Sequence, residues 1–133
     1  MMLIICCGIP ASGKTTLSNK IAEQYNAVRY SFDEMCCIKH TDLFPHIFKS
    51  LENGNDVVVD SVYAFKKIRM NLLEFVQHFD CKKIIIYMTT PLDECIKRNI
   101  QRPHPLPQYI IEESYRHFQL PTLDEGWDEI IYI

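Results

Sequence analysis

The chain has 133 residues, of which 47% are hydrophobic and 23% are charged, and its formal net charge is −3. These values fit one globular domain with its own core and exclude a disordered chain, and no segment approaches the length that spans a bilayer. The small negative charge provides no general attraction to long nucleic acids. The six cysteines lack the spacing of a zinc site, so we expect reduced thiols in a cytoplasmic protein.

The first predicted element is a buried strand, because residues 2–7 form an uninterrupted apolar run. The next segment has the pattern G-x-x-x-x-G-K-[S/T] of a phosphate-binding loop. A helical pattern from Lys14 to about Tyr25 follows, so the motif lies between a strand and a helix, as it must. The residues predicted to bind nucleotide are Gly8, Ile9, Pro10, Ala11, Ser12, Gly13, Lys14, Thr15 and Thr16.

The chemistry of this loop follows from its residue types. Gly8 and Gly13 permit backbone conformations that a side chain would obstruct, so successive amides can turn toward an anion. The N-terminus of the following helix adds unpaired N–H donors and a partial positive charge. Lys14 is then expected to reach the β- and γ-phosphates, and the Thr15 hydroxyl to bind Mg²⁺.

The remaining chain alternates short apolar runs with helical patterns. We predict strands over residues 28–32, 56–60, 82–88 and 129–133, and helices over residues 41–51, 65–79, 91–101 and 108–118. The helical spacing predicts that Phe75 and Ile100 face the core. Alternating strands and helices predict an α/β fold, a parallel sheet covered by helices on both faces, and we expect residues 1–133 to form a single domain.

Two aspartates end predicted strands, at the edge of a parallel sheet where ligands usually bind. Asp60 follows three valines and is predicted to hold Mg²⁺ or the Thr15 hydroxyl, while the alternative is the N-cap of a turn over Ser61–Phe65. Asp33 follows the second strand and is predicted to act as the base that accepts a proton from an attacking hydroxyl. A helix cap is the alternative for Asp33 as well.

Two arginines follow the fourth strand, just before a proline-rich break. Arg98 and Arg102 are four residues apart, so one helix would project both from the same face. Two guanidinium groups above a triphosphate would stabilise the charge of a transferring phosphoryl group, and we predict a short lid around residues 98–107. The alternative is a pair of solvated arginines, one of them paired with Asp93 or Glu94.

Together these motifs resemble the P-loop kinase family that includes the phage-type polynucleotide 5′-kinases, zeta-toxin-like kinases and transfer-RNA kinases. Besides the phosphate loop, the resemblance lies in the base segment, the aspartate–hydroxyl pair after the third strand, the R-N-x-x-R lid helix and the C-terminal tail. These segments are Ser31–Glu34, Val58–Ser61 and Lys97–Arg102, and the tail consists of Phe118–Pro121 and Glu125–Ile130. The resemblance therefore covers most of the chain, with its motifs in order.

This resemblance implies a single P-loop NTPase domain whose five strands have the order 2-3-1-4-5. It also implies transfer of the γ-phosphoryl group of ATP, or of GTP, to a hydroxyl with the help of Mg²⁺. The acceptor that the resemblance favours is a 5′-hydroxyl of a nucleic acid or nucleotide. No membrane partner is expected.

The chain departs from the polynucleotide kinases at two positions. Cys36 occupies the position where those relatives tend to carry an arginine that grips a substrate phosphate, and Lys39 is the nearest cation. Val62 occupies a position that is often asparagine. These departures leave two alternatives open: a kinase of another small molecule, and an ATP-binding switch or accessory module that phosphorylates no acceptor.

Overall fold

The computed structural model describes residues 1–133, which form a five-stranded parallel sheet in the order β2-β3-β1-β4-β5. This architecture confirms the predicted fold class and strand order. The strands are β1 (Met2–Cys7), β2 (Val28–Ser31), β3 (Val57–Asp60), β4 (Lys82–Tyr87) and β5 (Glu129–Tyr132). The helices are α1 (Lys14–Tyr25), α2 (Phe44–Glu52), α3 (Lys66–Phe75), α4 (Leu92–Ile100) and α5 (Gln108–His117). Two short 3₁₀ helices cover His40–Leu43 and Leu123–Glu125.

The central strand β1 determines where the ligand-binding edge lies. Its register pairs Cys6 with Asp60 of β3 and Cys7 with Tyr87 of β4, so the three strands end at the same level. Loops that leave the carboxyl ends of such strands meet in one crevice. The phosphate loop, the residues after Asp60 and the start of α4 are brought together in this way.

The sheet is buried on both faces, because alternate residues of β1 enter different clusters. Leu3 and Ile5 belong to a cluster of 16 buried residues that also includes side chains of α2 and α3. Ile4 and Cys6 belong to a cluster of six, which includes Ile21 of α1. This two-sided burial explains why β1 reads as a continuous apolar run. Burial also raises the pKa of the Cys6 thiol to about 12 and leaves it protonated.

A buried ion pair joins α3 to the C-terminal segment. The side chains of Arg69 and Glu125 are 0% exposed, and two hydrogen bonds of 2.8 and 2.9 Å connect them. Arg69 also donates to the carbonyl of Tyr63, while Glu125 accepts from the Trp127 indole and the Thr122 amide. This bonding compensates for the desolvation of the two charges.

Two predicted core positions are wrong. Ile100 is 69% exposed, because α4 ends at that residue, and the buried residue of its last turn is Asn99 instead. The Asn99 side chain donates to the Leu106 carbonyl and accepts from the Leu106 amide, so it ties the following loop to α4. Phe75 ends α3 and is 41% exposed, although its ring still contacts those of Phe44 and Phe48. None of the helices has the length and hydrophobicity that crossing a bilayer requires.

Candidate active site

The loop between β1 and α1 has a backbone that only certain residues adopt without strain. Gly13 has a φ of 103°, in the left-handed region, and Gly8 has a φ of 154°. A Cβ atom added to Gly8 would lie 2.8 Å from Ser12 Oγ and 3.0 Å from Met88 Cβ, so a larger residue does not fit. Ala11 also has a positive φ, of 65°, which is uncommon outside glycine. Strain of this kind is typical of ligand-binding loops.

Several donors of this loop have no acceptor within the protein. The amides of Ala11 and Gly13 donate no backbone hydrogen bond. Ser12 Oγ is buried and also lacks a partner. Because buried polar groups are normally paired, such free groups beside a cavity suit an anion with several oxygens.

Lys14 lies at the centre of this loop and is almost fully buried. Its Nζ donates to the carbonyl of Ile9 at 2.9 Å, which holds the ammonium inside the loop. Burial lowers the pKa of Lys14, and the nearby carboxylates of Asp60 and Asp33 oppose that change. A phosphate would supply the negative charge that this buried ammonium lacks.

Asp60 is the last residue of β3, lies beside Thr15 and is buried. Its Oδ2 accepts a hydrogen bond from Thr15 Oγ1 at 2.9 Å and another from Arg29 Nη2 at 2.8 Å. Residues 61–65 form no turn, and the helix after them begins at Lys66 with Phe65 as its N-cap. Asp60 therefore caps neither a turn nor a helix, and the alternative interpretation of this residue is wrong.

The residues beside Asp60 fit a magnesium ion bound together with a polyphosphate. Thr15 and Asp60 provide a hydroxyl and a carboxylate oxygen, which are ligands that Mg²⁺ prefers. No group of three or more His, Cys, Asp or Glu side chains that could hold a metal exists in the chain. The other ligands of an ion at this position would therefore be phosphate oxygens and water, as is usual for Mg²⁺.

One cavity of about 900 Å³ brings together the predicted site residues other than Gly8 and Ile9, which do not line it. It is lined by the phosphate loop, by both aspartates, by both arginines and by the loop after β4. The lining residues that bear on function are Ser12, Gly13, Lys14, Thr15, Thr16, Asp33, Asp60, Thr90, Arg98 and Arg102. Their roles remain predictions, but their shared cavity meets the geometric requirement for those roles.

The two arginines reach this cavity differently from the prediction. Arg98 lies in α4 close to the phosphate loop, since a Cβ on Gly13 would lie 3.3 Å from its Nη1. It also pairs with Glu94 at 3.2 Å, as the alternative interpretation expected. Arg102 lies beyond the end of α4, so the expectation that one helix projects both side chains is wrong. It lines the cavity from the exposed loop instead.

Asp33 lies on the rim of the cavity, in a series of turns after β2. No helix begins at Glu34, so a helix cap does not explain this carboxylate. Behind the turns, His40 Nδ1 lies 3.0 Å from Ser61 Oγ, and its ring packs between those of Phe32 and Tyr63. Burial lowers the pKa of His40, and the negative charge of Asp33 opposes this. No spacing in the sequence indicates this contact.

Sequence reasoning also missed Arg29. Its guanidinium contacts Asp60, Ser18 and Glu34, three residues from three different parts of the chain. The available signal was a charged residue within the short strand β2, next to a strand that ends in a carboxylate. The register that pairs Arg29 with Val58, two residues before Asp60, was needed to recognise the contact.

The fold and the loop define an α/β protein of the P-loop kinase class. The sheet order, the glycine loop and the helix that follows it are the parts on which this assignment depends. The family model described as "Chromatin associated protein KTI12" matches residues 1–131, and the chain belongs to that family.

The relatives include both kinases and KTI12 proteins. The chain is 28% identical to the L-seryl-tRNA(Sec) kinase of Methanococcus maripaludis over 146 aligned positions, which cover 96% of this chain and 56% of that protein. It is 22% identical to the KTI12 protein of Saccharomyces cerevisiae, and that alignment covers 99% of this chain and 50% of the yeast protein. The chain thus spans about half the length of the curated relatives that it matches.

Solved structures share the fold at lower identity. Kti12 of Chaetomium thermophilum, solved in complex with ADP-AlF3, has a TM-score of 0.74 and 17% identity, over 98% of this chain and 88% of that one. A sugar kinase from Janibacter sp. HTCC2649 has a TM-score of 0.80 and 13% identity, over 100% and 84% of the two chains. At this level of identity, the likeness extends to the fold alone.

Proposed function

We propose that the protein is a magnesium-dependent phosphotransferase, which transfers the γ-phosphoryl group of ATP to a hydroxyl acceptor. The observation that carries this proposal is the common cavity of the phosphate loop, Asp33 and the two arginines. A protein that only bound nucleotide would need the loop but would not need an exposed carboxylate on the rim of the same cavity.

In this mechanism the loop amides and Lys14 bind the phosphates of the nucleotide, and Thr15 and Asp60 would hold the metal ion. The metal would neutralise charge on the phosphate oxygens. Asp33 accepts the proton of the attacking hydroxyl or orients that hydroxyl. Arg98 and Arg102 stabilise the negative charge that spreads over the transferring oxygens, because each guanidinium group carries a positive charge and several N–H donors.

The favoured acceptor is a hydroxyl carried by a nucleic acid or a nucleotide. The relative named L-seryl-tRNA(Sec) kinase supports an acceptor attached to RNA. The exposed turn of Asp33 leaves the rim open to a large substrate. GTP in place of ATP, and a sugar or another small molecule as acceptor, are the other outcomes that the experiment below distinguishes.

A second candidate is an ATP-hydrolysing module that acts on no acceptor. Its support is the exposed Cys36, three residues after Asp33. Polynucleotide kinases tend to have at this position an arginine that binds a substrate phosphate. Such a module would release phosphate from ATP at a slow rate that no acceptor increases.

The experiment is incubation with Mg²⁺ and ATP labelled at the γ-phosphate, in the presence of a panel of acceptors. The panel contains 5′-hydroxyl RNA and DNA oligonucleotides, seryl-tRNA, nucleosides and sugars. The proposal expects label on one acceptor class. Release of labelled phosphate with every acceptor left unlabelled would instead support the hydrolysing module.

Substitution Asp33→Asn tests the role of the base. We expect transfer to the acceptor to fall by about 10²–10⁴-fold, the usual contribution of a general base. The dissociation constant of Mg·ADP should change by less than about twofold, because a rim carboxylate does not contact the loop. Full turnover in the variant would refute the assignment of Asp33.

A further inference from the structure

Arg29 makes three polar contacts at the edge of the cavity, and the proposed mechanism uses none of them. Its Nη2 donates to Asp60 Oδ2 at 2.8 Å, its Nε donates to Ser18 Oγ at 2.8 Å, and its Nη1 pairs with Glu34 Oε2 at 2.5 Å. Because the N–H directions of a guanidinium are rigid, three partners fix the position of the positive charge. The side chain is only 13% exposed, so solvent screens this charge weakly.

Asp60 depends on this charge. Its side chain is 6% exposed, and a carboxylate with so little water around it needs a cation in contact. Lys14 is the other cation nearby, but its Nζ donates to the carbonyl of Ile9. Arg29 is therefore the cation that is hydrogen-bonded to Asp60, through the same oxygen that accepts from Thr15.

We propose that Arg29 is a positioning residue and the resident counter-ion of Asp60, so that a divalent cation binds at this carboxylate only together with a nucleotide. The proposal rests on the assignment of Asp60 to the metal site in the proposed function. Without phosphates, the ion would meet one carboxylate already neutralised by Arg29 and one uncharged hydroxyl. The phosphates bring the negative charge that outweighs repulsion from the guanidinium.

Arg29 also connects this carboxylate to the rim. Glu34 is the residue after Asp33, so the guanidinium that holds Asp60 is bonded to the turn that carries the predicted base. Glu34 is 58% exposed, and this outer contact is accordingly weaker than the contact with Asp60. The counter-ion role therefore depends on Asp60 and not on Glu34.

The test measures binding of Mn²⁺, used as the probe for the divalent cation, by electron paramagnetic resonance in the absence of nucleotide. In Arg29→Gln we expect Mn²⁺ to bind about tenfold more tightly than in the wild type, because a nearby positive charge has been removed. Arg29→Lys keeps a positive charge and should stay close to the wild type. The gain should disappear in the double variant Arg29→Gln/Asp60→Asn, which removes the carboxylate.

The matched control is Arg116→Gln, which removes an exposed arginine paired with Glu113 on α5. It should leave Mn²⁺ binding unchanged. If Arg29→Gln does not fold, the wild type alone decides the question. ADP should then raise the affinity of the wild type for Mn²⁺ by about tenfold or more, after correction for Mn²⁺ bound to free ADP.

Two outcomes would overturn the proposal. One is an Arg29→Gln variant that binds Mn²⁺ no more tightly than the wild type, and the other is a gain that persists without the Asp60 carboxylate. Wild-type protein that binds Mn²⁺ equally well with and without ADP would also overturn it. These measurements need no acceptor and no turnover, so they remain decisive even if the protein phosphorylates nothing.

Discussion

Two of the arginine–carboxylate pairs in this molecule have little exposure to solvent, and they differ in what surrounds them. Arg69 and Glu125 are fully buried between α3 and the C-terminal segment. Arg29 and Asp60 are 13% and 6% exposed and lie at the edge of the sheet, where Asp60 lines the cavity. Both pairs have bonds of 2.8 Å, so distance alone does not distinguish them.

The difference lies in the neighbours. Around the Arg69–Glu125 pair, the further polar contacts are a carbonyl, an amide and the Trp127 indole, all of which belong to the framework. Around the Arg29–Asp60 pair, the contacts include the Thr15 hydroxyl at the start of α1, beside loop amides that have no acceptor. The buried Arg69–Glu125 pair therefore stabilises the fold. The Arg29–Asp60 pair beside the cavity instead organises groups that a ligand can use.

The largest expected effect is on stability, from the substitution Arg69→Gln. It leaves the Glu125 carboxylate buried without its cation, which typically costs about 3–5 kcal/mol of the free energy of unfolding. Urea denaturation followed by circular dichroism measures this loss. Arg116→Gln is the matched control and should change the free energy of unfolding by less than about 0.5 kcal/mol. A similar loss of unfolding free energy in both variants would contradict the stabilising role of the Arg69–Glu125 pair.

The Arg69–Glu125 pair also predicts that the stability of the fold depends on pH. Burial alone would raise the pKa of Glu125, but hydrogen bonds from Arg69 and the Thr122 amide outweigh burial and lower it below the ordinary value of 4.5. A lowered carboxyl pKa gives stability that is present above the unfolded pKa and is lost as the pH falls through the folded pKa. We expect wild-type stability to decrease below about pH 4.5, and to decrease less in Arg69→Gln.

The second expected effect is on ligand binding, from the substitution Asp60→Asn. The dissociation constant of Mg·ADP should rise by about 10- to 100-fold, because the variant lacks the carboxylate charge at the metal site. Stability should fall by only about 1 kcal/mol, since Arg29 keeps Ser18 and Glu34 as partners. Calorimetric titration and thermal unfolding measure the two quantities. The variant could instead bind Mg·ADP normally and lose as much stability as Arg69→Gln. That result would show that the Arg29–Asp60 pair, like Arg69–Glu125, only stabilises the fold.

The smallest expected effect comes from alanine substitutions at two glycines, one in the phosphate loop and one in an ordinary turn. Gly13 and Gly54 both have a positive φ, but a Cβ on Gly13 would lie 3.3 Å from Arg98 Nη1, whereas nothing lies within 4 Å of one on Gly54. Replacing either glycine with alanine should cost about 1 kcal/mol of stability, because the conformation disfavours a side chain. Only Gly13→Ala should weaken Mg·ADP binding, by about tenfold. Equal binding by the two variants would contradict the account of the loop.

The fold was predictable because its strands and helices have strong local patterns. The valines of β3 and the apolar run of β1 indicated buried strands, and the phosphate loop identified the connection between β1 and α1. The errors fell at the ends of helices. Ile100 was expected in the core because the helical pattern continued, but periodicity does not indicate where a helix stops.

The candidate site was predictable where a motif or the end of a predicted strand marked the residue. Residues 10–16, Asp33, Asp60, Arg98 and Arg102 had such signals, and they line the cavity. Arg29 and His40 had none, because their contacts with Asp60 and Ser61 span 31 and 21 residues and depend on strand register. Long-range polar contacts of this kind become visible only when the sheet is assembled.

The most direct test of the central claim is calorimetric titration of the wild type with Mg·ADP, beside the variant Lys14→Met. The claim is that the loop between β1 and α1 binds the phosphates of a nucleotide. It predicts a dissociation constant of about 1–100 μM for the wild type and a loss of about 100-fold without the Lys14 ammonium. No binding by the folded wild type at millimolar Mg·ADP, or equal binding by the two proteins, would contradict it.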